Sequence, residues 1–136
     1  TETKPSERLY YKMSGDAMNS RQRLARQLQT IHHTNEPRQL IELLHIPYAE
    51  TKLPASMHGF TCRIGGQIGI IINSQLEESQ LSYARAHELG HALLHDHTGH
   101  YLIAESTFIP PGRYEREADE FAQALLGDML PTEELR

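Results

Sequence analysis

The stretch that decides the fold is Ala84-Arg85-Ala86-His87-Glu88-Leu89-Gly90-His91-Ala92-Leu93-Leu94-His95. Each helical residue advances about 100°, so with His87 at zero, His91 falls at about 40°, His95 at about 80° and Glu88 at about 100°. Leu89, Leu93 and Ala86 fall at about 200–260°, on the opposite side. A helix this apolar, with one narrow polar sector, belongs in the middle of a molecule. The polar sector spells H-E-x-x-H. Two imidazoles at i and i+4 can converge on one zinc ion at about 2 Å from each. Glu88 stands to one side, placed to take a proton from water that zinc activates and to pass it to a leaving amine. The plain alternative is a set of core residues that satisfy one another. Two histidines and a glutamate are hard to satisfy inside an apolar helix, because unpaired buried polar groups are costly.

Zinc needs a third protein ligand and an open position. His97 would serve if the helix broke soon after His91, but Leu94 is a good helix former there. His95 lies about 12 Å along the axis from His87, too far to share its ion. The better source is Tyr114-Glu115-Arg116-Glu117-Ala118-Asp119-Glu120-Phe121-Ala122. With Glu115 at zero, Ala118, Phe121, Ala122, Leu125 and Leu126 centre near about -50°, and Asp119 falls at about 40°. Glu115 and Asp119 border this buried face, while Glu117 at about 200° points away from it. Glu115 is therefore the expected third ligand. Asp119, one turn on, can accept a hydrogen bond from the second ring nitrogen of a ligand histidine. Glu117 and Glu120 are expected to be solvated acids.

Working outward, Ser74-Gln75-Leu76-Glu77 has the S-x-x-E form of a capping box opening the motif helix. Before it, Phe60, Cys62 and Ile64 alternate, as do Ile68, Ile70 and Ile72, around Gly65-Gly66, a hairpin pattern. Tyr48 to Leu53 is expected as an edge strand closed by Pro54. Thr34-Asn35-Glu36-Pro37 starts a short helix whose buried face is Leu40, Ile41, Leu43 and Leu44. Leu24, Leu28 and Ile31 recur at helical spacing between Asp16 and His33. Residues 1–15 show no periodicity and are expected to be a polar tail, with 16–136 a single domain. Downstream, His97 to Gly112 is expected as a loop and Arg113 to Leu126 as the last helix. The order predicts an α+β fold with a small antiparallel sheet packed on helices.

The 136 residues are 38% hydrophobic and 23% charged, ordinary for a globular domain. No apolar run approaches the roughly 20 residues of a membrane span, and Thr1 to Gly15 has no apolar signal core. Cys62 is the only cysteine, which excludes an internal disulfide and suits a reducing, cytoplasmic setting. The net charge of -5 argues against direct nucleic-acid binding. The charge is uneven, +3 over residues 1–63 and -8 over 64–136, so the candidate site lies in the acidic half.

The segments AHELGHALLH (86–95), EREADEFAQALL (115–126) and GFTCRIGGQIGIIIN (59–73) resemble the ImmA/IrrE family of metallopeptidases, in the zincin clan. The resemblance covers residues 37 to 131. It implies a zincin-like fold, one zinc per chain and endopeptidase activity on a regulatory protein, commonly a helix-turn-helix repressor. By motif position His87 and His91 would be zinc ligands, Glu88 the catalytic glutamate and Glu115 the third ligand. Asp119 stands where relatives often have Asn. By analogy with zincins, the strand Gly59 to Ile64 is the expected cradle for an extended substrate. A donor to the developing oxyanion is also expected, from His58, Tyr83, His100 or Tyr101. The rival reading is a non-proteolytic zinc-containing module of the same fold that binds a regulator. The intact Glu88 favours the enzyme, and a purely structural zinc would take four protein ligands.

Overall fold

A computed structural model describes residues 18–95 and 111–127. Residues 1–17, 96–110 and 128–136 lie outside it, and with them the expected polar tail and most of the expected 97–112 loop. The described chain is α+β: helix α1 (Ser20–His32), helix α2 (Pro37–Leu43), strands β1 (Tyr48–Thr51), β2 (Gly59–Ile64) and β3 (Gln67–Asn73), then helices α3 (Glu78–Leu94) and α4 (Pro111–Leu126).

Local chemistry accounts for most element ends. Asn19 Oδ1 accepts from Gln22 N at 2.8 Å, and Gln22 Oε1 accepts from Asn19 N at 3.0 Å, a reciprocal cap that starts α1 at Ser20 rather than at the expected Asp16. Pro37 takes the first position of α2, and Glu36 caps it by accepting from Gln39 N. Leu40 and Ile41 are fully buried, but Leu43 is 44% exposed and Ile31 of α1 is 65% exposed, so both leave their expected faces. Gly65 and Gly66 both have positive φ, 55° and 84°, the backbone a two-residue hairpin turn requires.

The sheet differs from expectation in one respect. Its order is β1-β3-β2; β2 pairs with β3 antiparallel, but β1 pairs with β3 parallel, Tyr48 opposite Ile70 through Thr51 opposite Asn73. The sheet is mixed because the 52–58 connection carries the chain past the end of β3 to the far edge. Asn73, 1% exposed, holds that connection: its Oδ1 accepts from Leu53 N, and its Nδ2 donates to the carbonyls of Leu53, Pro54 and Met57. Asn73 Oδ1 also accepts from Gln75 N, which turns the chain before the helix. The box opening α3 is therefore formed by Glu77 and Gln80 rather than by Ser74 and Glu77.

The helices cover one face of the sheet. Ile70 and Ile72 of β3 meet Leu40, Ile41, Leu89, Phe121, Leu125 and Leu126 in one apolar core. α3 runs through its centre, packed against α2, α4, β2 and β3. Among the described residues no helix is long and apolar enough to cross a membrane.

Candidate metal centre

α3 and α4 approach closely at Gly90. A Cβ there would stand 3.0 Å from Phe121 Cδ2 and 3.3 Å from Ala118 Cα, so only glycine permits this spacing without displacement. The approach lays Glu115 across both motif imidazoles. His87 Nε2 is 2.9 Å from Glu115 Oε1, and His91 Nε2 is 3.2 Å from Glu115 Oε2. One donor atom from each of the three residues lies within 4.8 Å of the others. Ligand atoms around a tetrahedral zinc sit about 3.3 Å apart, given bonds near 2 Å, so this donor set fits such an ion.

Outer contacts orient both rings. His87 Nδ1 lies 2.9 Å from Asp119 Oδ1, and the Tyr83 hydroxyl donates to that same oxygen. His91 Nδ1 lies 2.9 Å from His95 Nδ1, whose Nε2 is 3.0 Å from Glu117 Oε1. Each motif histidine thus has its Nδ1 engaged outward and its Nε2 turned towards Glu115.

The electrostatics follow from that crowding. Burial opposes a charge on His87, but hydrogen bonds to Asp119 and Glu115 outweigh it and push the ring up to about 10. Those from His87 and His91 hold Glu115 well below the usual carboxylate range. Burial works against ionised Asp119 too, yet its bonds to His87 and Tyr83 bring it down. Burial and Asp119 together raise the Tyr83 phenol.

Glu88 stands outside the three-residue group but lines the same cleft, about 370 Å³, with His58, Gly59, Tyr83, His87 and Glu115. Burial is the main cause that pushes it up to about 7. Gly59 is the second close approach: a Cβ there would meet Ile72 Cδ1 at 2.8 Å and Glu88 Cγ at 3.4 Å. The edge strand β2 therefore starts directly beside the Glu88 carboxyl.

Residues 41–136 match the peptidase M78 family, described as the IrrE N-terminal-like domain. The chain belongs to the ImmA/IrrE family. It is similar to "Uncharacterized immunity region protein 2" of Bacillus phage phi105, with 32% identity over 95 residues. That alignment covers 70% of this chain and 60% of the phage protein's length. No solved structure matches the chain significantly. The ImmA/IrrE match contains His87, Glu88, His91, Glu115 and Asp119, and by its name the family is one of metallopeptidases.

Two residues beside the ligand group of this ImmA/IrrE chain, His95 and Glu117, are missed by sequence reasoning. Glu117 and Glu120 are not simply solvated: Glu117 meets His95, and Glu120 binds Arg21 at 2.9 Å. His95 is excluded as a ligand by distance, yet its place at about 80° on the polar sector of α3 is the signal that it would meet His91. Of the four oxyanion-donor candidates, His58 and Tyr83 line the cleft, and His100 and Tyr101 lie outside the described residues.

Proposed function

We propose that this chain is a zinc-dependent endopeptidase that cuts a regulatory protein, with a transcriptional repressor as the expected substrate. The observation that carries the reading is the pairing of three convergent ligand atoms with a buried carboxyl, Glu88, that lines one cleft with His87 and Glu115 without joining the ligand group. His87, His91 and Glu115 would hold the ion. Zinc bound there would supply Lewis acidity, polarising the scissile carbonyl and acidifying water. Glu88 would accept the proton of the attacking water and return it to the leaving amine, a task suited to a group that burial holds near neutrality. Asp119 would fix the His87 ring. Tyr83 has its hydroxyl committed to Asp119, which leaves His58 the better donor to the developing oxyanion.

The name of the phage relative supports a role in phage immunity, and with it a repressor as target. The edge of β2 supports an extended substrate. Asn73 N donates to the His58 carbonyl, and alternation along the antiparallel pair then turns the N–H and C=O of Gly59, Thr61 and Arg63 towards the open edge. A proline at Thr61 removes an outward donor rather than a ladder bond. Thr61→Pro is expected to raise KM while the fold survives; unchanged cleavage by the folded variant would remove β2 from substrate binding.

The decisive test is Glu88→Gln. The variant should keep one zinc per chain and lose cleavage of a candidate repressor by at least about 100-fold, the range general-base catalysis supplies. A variant that keeps its regulatory effect in cells would instead support the binding module.

A further inference from the structure

The two motif histidines are not held alike. His87 meets a carboxylate directly, whereas His91 meets another histidine. His95 is 2% exposed, caps the C-terminal end of α3 and lies against the Tyr114 ring, with centroids 4.3 Å apart. Its two ring nitrogens face two different groups, His91 Nδ1 and Glu117 Oε1. Arg113 Nε reaches the other Glu117 oxygen at 3.3 Å.

The tautomers along this chain are fixed by chemistry. A neutral imidazole that offers the Nε2 lone pair to an ion carries its proton on Nδ1. His91 Nδ1–H must then donate, so His95 Nδ1 must accept. That leaves the His95 proton on Nε2, where the Glu117 carboxylate accepts it. One orientation of protons satisfies every contact from Glu117 inward.

We propose that His95 is a positioning residue for the metal centre, relaying the Glu117 carboxylate to His91 so that His91 presents its Nε2 to the ion. The proposal rests on the zinc-site reading above. Glu117 thereby does for His91, through one intervening ring, what Asp119 does for His87. All three acids stand on α4, and all three imidazoles stand on α3 or at its C-cap.

The test is the zinc dissociation constant, by chelator competition, of the full chain and three variants. His95→Leu removes the acceptor and should weaken zinc about 10- to 100-fold, the usual effect of losing an outer partner of a ligand. His95→Asn places an amide oxygen near the position of Nδ1 and should recover most of that loss. Glu117→Ala, with its fold checked by circular dichroism, should weaken zinc about tenfold while saturating at one ion per chain. In zinc-loaded protein the His91 Nδ1 proton should give a slowly exchanging downfield NMR signal that His95→Leu abolishes. Unchanged affinity in Glu117→Ala, or an Asn variant as weak as the Leu variant, would overturn the relay and leave His95 a packing residue. Failure of the wild-type chain to bind zinc would instead bring down the metal site, and the relay with it.

Discussion

Glu88 is a carboxyl placed where ionisation is unfavourable, 7% exposed and near Glu115. Its folded value of about 7 exceeds its ordinary 4.5. Between those values the native state holds a proton that the unfolded chain has released, so the unfolding free energy falls as pH rises. The contribution is intact below pH about 4.5 and gone above about 7. At pH 8 the buried charge costs on the order of 3 kcal/mol. Glu88→Gln should therefore stabilise the zinc-free protein in urea titrations at pH 8 and leave it nearly unchanged at pH 4. Equal effects at both values would mean that Glu88 is not held protonated by burial. The residue placed for the chemistry is thus one the fold would be steadier without, a trade common at functional sites.

Among the elements, the pair α3 and α4 decides the site, and Gly90 decides the pair. Gly90→Ala favours the helix by about 1 kcal/mol but sets a methyl group against Phe121 and the backbone of Ala118, neither of which can move freely. The expected outcome is a small change in thermal midpoint together with a clear loss of zinc affinity; retained affinity would show that α4 can yield without disturbing Glu115. That His87 and His91 share one face of α3, and Glu115 and Asp119 one face of α4, was legible because each pairing follows from helical period within one element; that the two faces meet was expected from zinc's need for a third ligand. The hairpin was legible because period two and Gly65-Gly66 are local signals. The direction of β1 was not, since alternation carries no sign and only the Asn73-pinned connection decides it. Glu117 was misjudged for a related reason. A helical wheel of α4 alone marks only its apolar stripe, and it carries no sign that His95, at the C-cap of α3, reaches Glu117.

At the scale of the molecule, the candidate ligands come from two helices whose packing is most of the core, so ion binding and folding are coupled. Zinc at 100 times its dissociation constant adds about 2.7 kcal/mol to the native state. For a chain of this length that corresponds to roughly 10 °C in thermal midpoint. Scanning calorimetry with zinc and with excess chelator should show this difference in the wild type and its loss in Glu115→Ala; a midpoint indifferent to chelator would argue against the centre. The division of labour between the helices has a further consequence. With His87 and His91 on one side of the Gly90 contact and Glu115 on the other, parting the helices draws the Glu115 carboxylate away from both imidazoles at once. The set opens or closes as one jaw, and affinity for the ion becomes a caliper reading of a single gap. Anything that wedges that gap, however far from the cleft, is registered there first.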